Sequence, residues 1–159
     1  MRVGLFGYPV AHSASPRMHN AAFAALGLAG WRYELWETAP EALAARIAAL
    51  RQDGGIAGAN VTIPHKQTVV ACLDAVSEHA RFIGAVNTIV RDGARLVGDN
   101  TDWIGFLADL RVHGIQSLAG LRALVLGAGG SARAICYGLS SRGAAVRVFN
   151  RDARRAAEL

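Results

Sequence analysis

A strand, a glycine loop and a helix in immediate succession constrain the fold of this chain more than any other feature of its sequence. The apolar run at residues 121–126 leads directly into Gly127-Ala128-Gly129-Gly130-Ser131-Ala132, and a helical pattern continues to about residue 141. Glycines let the backbone approach a pyrophosphate, and the amides of the following helix then face its negative charge. This order predicts the start of a dinucleotide-binding βαβ unit, with a glycine turn that binds no ligand as the alternative.

The residues after the next strand indicate which dinucleotide would bind. That strand is expected over residues 145–149, and Asn150 and Arg151 follow it, with Arg155 close behind. Folds that bind NAD usually have an acidic residue here, which bonds to the ribose hydroxyls. A guanidinium group matches a 2′-phosphate instead, so we expect NADP as the cofactor. A solvated basic helix start is the alternative, and Asp152 is an unfavourable neighbour for an anion.

Alternating strand and helix signals predict an α/β fold for the first hundred residues. The expected strands are residues 3–6, 31–36 and 56–62, and a hairpin that turns at Asp92-Gly93 joins residues 85–90 to 95–98. A first helix is expected at residues 16–26 with Ser15 as its N-cap, and a second follows the capping-box pair Thr38 and Glu41. A third is expected after Lys66, with Val69 and Val76 on one side, and a fourth begins at Asn100 or Thr101.

The composition excludes several classes of protein. With 52% hydrophobic and 18% charged residues, the 159-residue chain can bury a core, which argues against disorder. The net charge of +5 does not indicate nucleic acid, because the arginines are scattered apart from a cluster at residues 142–155. No early apolar stretch is long enough for a signal or membrane segment, so we expect a cytoplasmic protein. Cys72 and Cys136 are expected to be reduced core thiols, and no metal site is expected.

Two serines stand just ahead of the first predicted helix. In His12-Ser13-Ala14-Ser15-Pro16, the hydroxyls of Ser13 and Ser15 accompany a helix N-terminus, whose unpaired amides favour an anion. A small carboxylate could therefore bind there without an arginine. Capping of the helix by Ser15 alone explains the pattern equally well.

Lys66 is the only lysine among the 17 basic residues of the chain. Lysine differs from arginine in that a tuned site lets it lose its proton near neutral pH. Thr62 and Lys66 both lie where the expected strand 56–62 ends, and Asn87 and Asp102 lie at comparable strand and hairpin ends. These polar side chains are therefore candidates to bind a substrate rich in hydroxyl groups. Lys66 beside Asp102 would form a proton-transfer pair. The alternatives are a surface lysine retained by chance and a helix-start role for Asp102.

Five blocks of sequence, taken in order from residue 4 onward, resemble the shikimate dehydrogenase family. They are Gly7-Tyr8-Pro9-Val10 with His12-Ser13-x-Ser15-Pro16 and His19-Asn20, Asn60-Val61-Thr62-Ile63-Pro64-His65-Lys66, Gly84-Ala85-Val86-Asn87-Thr88, Gly98-Asp99-Asn100-Thr101-Asp102, and Gly127-Ala128-Gly129-Gly130. The resemblance implies an NADP-dependent oxidoreductase acting on a CH–OH group. Its reaction would be the reversible reduction of 3-dehydroshikimate to shikimate, on the pathway to chorismate and the aromatic amino acids.

The resemblance also implies roles for individual residues. Ser13 and Ser15 would bind the substrate carboxylate, and Lys66 would be the acid/base with Asp102 as its partner. The residues that would meet the ring hydroxyls are Thr62, Lys66, Asn87 and Asp102. The residues that would contact the cofactor are Gly127, Ala128, Gly129, Gly130 and Ser131 at the pyrophosphate, Asn150, Arg151 and Arg155 at the 2′-phosphate, and Glu78 nearby.

The family pattern divides the chain into three parts. An N-terminal α/β substrate-binding domain with a mostly parallel sheet would span residues 1–101, a connector helix residues 102–114, and an incomplete Rossmann-like NADP-binding domain residues 115–159. Because the family continues through a complete nucleotide domain, we expect a truncated chain with poor or absent turnover. We expect a monomer or homodimer that binds a small-molecule substrate and neither nucleic acid nor membrane. Ala14 replaces a larger apolar residue of the family, which the flanking serines should tolerate.

Two other functions remain open. A quinate/shikimate dehydrogenase that uses NAD would share these blocks, although Arg151 and Arg155 argue against NAD. A non-catalytic module that binds a shikimate-like ligand or a partner chain would keep its function without Lys66, whereas an enzyme would lose its rate.

Overall fold

The computed structural model describes residues 1–159, which form two separate β-sheets connected by helices. The strands of the larger sheet are β1 (Arg2–Gly7), β2 (Arg32–Glu37), β3 (Ile56–Val61), β4 (Ala75–Val76), β5 (Thr88–Asp92) and β6 (Arg95–Asp99). Their order across the sheet is β2-β1-β3-β5-β6-β4. β1 runs parallel to β2 and β3, and β4 runs parallel to β6, while β5 is antiparallel to both of its neighbours. The predicted α/β fold with a mostly parallel sheet is confirmed.

The smaller sheet pairs β7 (Arg122–Leu126) with β8 (Ala145–Phe149) in parallel. The helices of the chain are α1 (Ser15–Ala25), α2 (Leu43–Gln52), α3 (Glu78–Ile83), α4 (Asp102–Val112), α5 (Gly130–Ser140) and α6 (Ala153–Ala157). β7, α5 and β8 form the predicted βαβ unit. None of the helices combines the length and apolarity needed to cross a bilayer.

The main core forms where α2 covers the larger sheet. Ile47 and Leu50 lie one turn apart on α2, and both are buried with Phe6 of β1 and Trp36 of β2 in one apolar cluster. The indole of Trp36 packs directly against Gly4. A Cβ at residue 4 would lie 2.5 Å from the ring, so the indole fits only because Gly4 has no side chain. Burial of these apolar faces holds α2 on the sheet.

A second apolar core belongs to the smaller sheet. Leu107 of α4 and Leu139 of α5 are buried with Val125 of β7. α4 therefore packs with the smaller sheet, although its first residue adjoins the larger one. The other face of the smaller sheet is uncovered and exposes Leu124, Leu126 and Phe149.

The segment after Lys66 differs from the single helix that the sequence predicts. It forms a 3₁₀ helix, Thr68–Cys72, followed by β4 at the sheet edge. The carboxylate of Asp74 explains the difference, because it accepts hydrogen bonds from Leu96 N at 2.7 Å and from Arg51 at 3.1 Å. The amide of Asp74 also donates to Leu96 O at 3.0 Å. These bonds hold the backbone extended beside β6, so the apolar residues reach the core without a helix.

Two predicted helix caps are wrong. The N-cap position of α1 is Ala14, and Ser15 is the first helical residue, whose amide donates to Ser13 Oγ at 3.2 Å. Thr38 does not cap α2, because its hydroxyl donates to Trp36 O at 2.8 Å. A 3₁₀ helix precedes α2 instead.

Two short helices were not among the predicted elements, although a basic helix start was considered where α6 begins. α3 is capped by Ser77, whose hydroxyl accepts from Ala80 N, and α6 is capped by Asp152, which accepts from Arg154 N. Helices of six and five residues leave too few turns for an apolar period to be detected. Their polar caps were the available signals.

Gly58 of β3 lies against the backbone of β5, where a side chain should destabilise the sheet. A Cβ at this position would lie closer than 3.0 Å to the carbonyl oxygen of Ile89, which is fixed in the sheet. We expect Gly58→Ala to lower the free energy of unfolding by about 2–3 kcal/mol, a usual cost of overpacking, as measured by urea unfolding. Gly105→Ala is the matched control, because a Cβ there meets nothing within 4 Å. Equal losses for both variants would contradict this account.

Candidate active site

A cleft of about 510 Å³ opens at the carboxyl ends of β1 and β3. Ser13 and Ser15 line it at the start of α1, and Thr62 lines it just after β3. Ser13 Oγ lies 3.0 Å from Ser15 Oγ. The structure thus brings together three of the predicted substrate-binding residues. Their location agrees with the usual place of ligands in α/β sheets, beyond the carboxyl ends of the strands.

The turn after β3 directs Lys66 away from bulk solvent. His65 is buried, and its Nε2 lies 2.7 Å from Thr38 O. The carbonyl oxygen of Lys66 accepts a hydrogen bond from Val86 N at 2.7 Å. These contacts fix the backbone on both sides of the lysine, whose side chain is only 12% exposed.

Lys66 and Asp102 form a direct ion pair. Lys66 Nζ donates to Asp102 Oδ2 at 2.6 Å, and Asn87 Nδ2 donates to Asp102 Oδ1 at 2.7 Å. The carboxylate is further fixed because Asp102 N donates to Asn100 Oδ1 at 3.0 Å and Thr101 N donates to Asn87 Oδ1 at 2.9 Å. An amine held by an oriented carboxylate can exchange a proton with an oxygen atom placed next to it.

The glycine loop faces the same lysine. Lys66 Nζ donates to Ser131 Oγ at 3.3 Å, and Gly130 approaches so closely that a Cβ there would lie 2.9 Å from Lys66 Cβ. Gly127 has a φ of +115°, which residues with a side chain rarely adopt, and Gly129 has open space where a Cβ would stand. No side chain caps α5. The free amides at its N-terminus therefore fit a dinucleotide pyrophosphate.

The end of β8 lies beside the start of this loop. Gly127 N donates to Phe149 O at 2.7 Å, and Ala128 is buried. Asn150 and Arg151 thus leave the sheet next to the glycine loop, as the βαβ pattern predicts.

The basic residues after β8 are available to an anion. Arg151 and Arg155 are exposed, and neither makes a side-chain hydrogen bond or an ion pair. Asn150 Nδ2 donates to Asp152 O at 2.9 Å, which closes the turn into α6.

Glu78 is the predicted cofactor residue with the weakest structural connection to the site. It lies exposed in the first turn of α3, and its side chain makes neither a hydrogen bond nor an ion pair. An acidic residue is favourable there because of the helix dipole. The adjacent His79 approaches α5 instead, with Nδ1 2.6 Å from Tyr137 Oη.

Tyr33 packs with Leu5 and Val10, which line the cleft, and it was not predicted as a site residue. Its side chain is 4% exposed, and its hydroxyl donates to Asn60 Oδ1 at 2.8 Å. Burial raises the pKa of Tyr33 to about 12, and a hydrogen bond from Ser15 partly opposes that rise. The alternation of β2 indicates an inward side chain, but nothing in the sequence indicates which groups its hydroxyl meets.

Fold and site together define a class of two-part α/β protein. In this class, a lysine and carboxylate pair lies beside a glycine loop of the dinucleotide-binding type, and the cleft lined by Ser13, Ser15 and Thr62 opens at the carboxyl ends of two neighbouring strands. No three His, Cys, Asp or Glu side chains converge in a way that could hold a metal ion.

The chain belongs to the shikimate dehydrogenase family. The family model of the shikimate dehydrogenase substrate binding domain matches residues 5–89. Over 155 residues, the chain is 51% identical to the shikimate dehydrogenase (NADP+) of Symbiobacterium thermophilum, an alignment that covers 97% of this chain and 52% of the relative. The chain thus spans about half the length of this curated relative.

Solved structures share the fold at high similarity. Shikimate 5-dehydrogenase from Thermus thermophilus, in complex with NADP(H) and shikimate, has a TM-score of 0.90 and 46% identity, covering 99% of this chain and 59% of that chain. The 5-ketofructose reductase of Gluconobacter sp. strain CHM43 has a TM-score of 0.86 and 38% identity, and the match covers 99% of this chain and 56% of that chain. The fold is therefore shared by proteins named for different substrates, so the fold alone does not determine the substrate.

Tyr33 should make the stability of the protein depend on pH in the alkaline range. Its pKa is raised from an ordinary value of 10.0 to about 12, so the folded state keeps a proton that the unfolded state loses. The free energy of unfolding should therefore fall as pH rises through this window. Urea unfolding at about pH 9 and about pH 11 should show a smaller fall for Tyr33→Phe than for the unaltered chain. The exposed Tyr8 provides the control, and an equal effect of Tyr8→Phe would argue against this assignment.

Proposed function

We propose that this chain carries the substrate-binding and acid/base residues of an NADP-dependent shikimate dehydrogenase. The enzyme would interconvert 3-dehydroshikimate and shikimate in the biosynthesis of chorismate and aromatic amino acids. The observation that carries the proposal is the 2.6 Å contact between Lys66 Nζ and Asp102 Oδ2, beside the glycine loop. Family membership and the names of the relatives support the same activity.

Lys66 moves the proton in the proposed reaction. During reduction, its ammonium group donates a proton to the C3 oxygen of 3-dehydroshikimate, and during oxidation its amine takes the proton from the C3 hydroxyl. Bound NADPH supplies the hydride, which no side chain can provide. Asp102 directs the amine and stabilises its protonated form through their short contact.

The cleft and the polar side chains around Lys66 together bind the remaining groups of the substrate. The hydroxyls of Ser13 and Ser15, beside the N-terminal amides of α1, donate to the carboxylate. Thr62, Asn87 and Asp102 offer a hydroxyl, an amide and a carboxylate to the ring hydroxyls. This division leaves the C3 oxygen next to Lys66.

The glycine loop and the end of β8 hold the cofactor. The amides of Gly129, Gly130 and Ser131, at the uncapped start of α5, would face the pyrophosphate. The residues that would meet the 2′-phosphate are Asn150, Arg151 and Arg155. Glu78 has the least support, because its side chain makes neither a hydrogen bond nor an ion pair with these residues.

The proposal includes the division into a substrate-binding domain at residues 1–101, a connector at 102–114 and a partial NADP-binding domain at 115–159. α4 supports it, because Asp102 bonds to Lys66 beside the larger sheet while Leu107 packs in the second core. The free thiols of Cys72 and Cys136 suit a reducing cytoplasm. A monomer or homodimer stays a prediction.

A reductase of an uncharged sugar is the second candidate, because such an enzyme shares the fold. The Ser13 and Ser15 pair favours shikimate over 5-ketofructose, which has no carboxylate. A quinate/shikimate dehydrogenase that uses NAD is disfavoured by the free guanidinium groups of Arg151 and Arg155.

Removal of the lysine amine tests the acid/base role. Lys66→Ala should lower the rate of NADP-linked shikimate oxidation by about 10²–10⁴-fold, the usual contribution of general acid–base catalysis. The Kd for shikimate, measured by calorimetry, should change less than the rate. Arg46→Ala is the control, because this exposed cation of α2 makes no side-chain hydrogen bond. Measurable turnover by the unaltered chain that Lys66→Ala leaves unchanged would contradict the acid/base role.

Removal of the guanidinium groups after β8 tests cofactor choice. The double variant Arg151→Ala, Arg155→Ala should weaken NADPH binding by about 10–100-fold, because charge-assisted hydrogen bonds to the 2′-phosphate are lost. NADH affinity, measured in the same fluorescence titration, should stay unchanged. Arg147→Ala changes an exposed cation on β8 and should affect neither. Tighter binding of NADH than of NADPH by the unaltered chain would favour the NAD-dependent alternative.

A further inference from the structure

Lys66 is the residue at which the glycine loop meets the larger sheet. Its Nζ donates to Asp102 Oδ2 at 2.6 Å and to Ser131 Oγ at 3.3 Å. Gly130 also lies against the stem of the lysine, because a Cβ on this glycine would stand 2.9 Å from Lys66 Cβ. An ammonium group has three N–H donors, so two are in use and one remains for a ligand oxygen. The direction of that third donor depends on the two bonds already made.

Asp102 and Ser131 hold the ammonium group with different strength. The bond to Asp102 is short, and the carboxylate is itself fixed by Asn87 Nδ2 at 2.7 Å. The bond to Ser131 is longer than the ordinary range of about 2.7–3.2 Å for hydrogen bonds from nitrogen to oxygen. One N–H is thus held firmly, while Ser131 only weakly limits rotation of the ammonium group about its own axis. Any change that strengthens the bond to Ser131 therefore fixes the third donor.

The hydroxyl of Ser131 has a proton that makes no hydrogen bond. Ser131 is the second residue of α5 and is exposed, and its Oγ accepts from Lys66 but donates to no other group. A serine hydroxyl can accept and donate at the same time. No side chain caps the start of α5, so its first amides are free as well. A pyrophosphate at the glycine loop would therefore have both these amides and the Ser131 hydroxyl as donors.

A hydrogen bond from Ser131 to a phosphate oxygen should strengthen its bond to Lys66. Hydrogen bonds that form a chain polarise one another, so a hydroxyl that donates to an anion becomes a better acceptor. Asp102 and Ser131 would then hold the lysine together, with its third N–H fixed for the C3 oxygen of the substrate. Direct electrostatic interaction between the two ligands would have the opposite effect, because the shikimate carboxylate and the pyrophosphate are both negative and repel each other.

We propose that Ser131 is a positioning residue that couples the two ligand sites: a pyrophosphate at the glycine loop orients Lys66 through this hydroxyl and so tightens the binding of shikimate. The inference rests on the proposed function and deepens it. Ser131 acts through Lys66 and does not touch shikimate. Because such coupling is reciprocal, shikimate tightens the binding of the pyrophosphate by the same factor.

Calorimetric titration of the 159-residue chain with shikimate tests the coupling, in the absence and presence of saturating 2′-phospho-ADP-ribose. This probe contains the pyrophosphate and the 2′-phosphate but no nicotinamide, so contact between nicotinamide and shikimate cannot contribute. The Kd for shikimate should fall about five-fold with the probe, at the lower end of usual couplings between sites. Saturating 2′-AMP, which lacks the pyrophosphate, should leave the Kd unchanged.

Removal of one hydroxyl separates positioning from a general structural role. Ser131→Ala should bind shikimate alone almost as well as the unaltered chain, because Asp102 still holds the lysine. The five-fold tightening by saturating 2′-phospho-ADP-ribose should be lost. Ser140→Ala is the matched control, because this exposed serine lies on the same helix and makes no side-chain hydrogen bond. It should keep the full tightening. If Ser131→Ala does not fold, Ser131→Gly removes the same hydroxyl.

Each result decides the matter. If the unaltered chain binds no shikimate, or no 2′-phospho-ADP-ribose, both the proposed function and this inference are wrong. If the chain binds both and the probe leaves the Kd for shikimate unchanged or raises it, the inference alone is wrong. Tightening that persists without the Ser131 hydroxyl, or that 2′-AMP produces as well, would also contradict the inference, because the coupling would then arise elsewhere.

Discussion

The contact between Lys66 and Asp102 requires three distant parts of the chain to meet at one place. Lys66 follows β3, Asp102 begins α4, and Asn87, just before β5, bonds to the second oxygen of the carboxylate. A largely buried ammonium group is costly unless it is paired and hydrogen-bonded. The larger sheet satisfies this requirement, because β3 and β5 are neighbours and β6 brings the chain back to the start of α4. The glycine loop then meets the lysine from the other side through Ser131.

The parts of the fold that could be predicted from sequence depend on local pattern. The βαβ unit around Gly127 and the hairpin at Gly93 have short-range signals, and both are present. The meeting of Ser13, Ser15 and Thr62 was predictable because the carboxyl ends of parallel strands share one edge of a sheet. The pairing of Lys66 with Asp102 was also predicted, from their comparable positions at strand and hairpin ends, and the family blocks implied the same pair. Their individual roles in catalysis remain predictions.

The parts that could not be predicted depend on bonds between distant residues. The apolar pattern after Lys66 suits a helix, but Asp74 bonds to Leu96 across the sheet and extends the backbone there. Tyr33 resembles any inward strand residue, and its connection to Asn60 exists only after β2, β1 and β3 have aligned. Local propensity contains no information about either contact.

The orientation of bound shikimate tests the central claim most directly, because a lysine can also bind a carboxylate. A crystal structure of the protein with shikimate should place the carboxylate at Ser13 and Ser15, and the C3 oxygen at about 3 Å from Lys66 Nζ, a hydrogen-bond distance. Shikimate bound in the reverse direction, with its carboxylate on Lys66, would contradict the acid/base role. Shikimate bound outside this cleft would contradict the whole site.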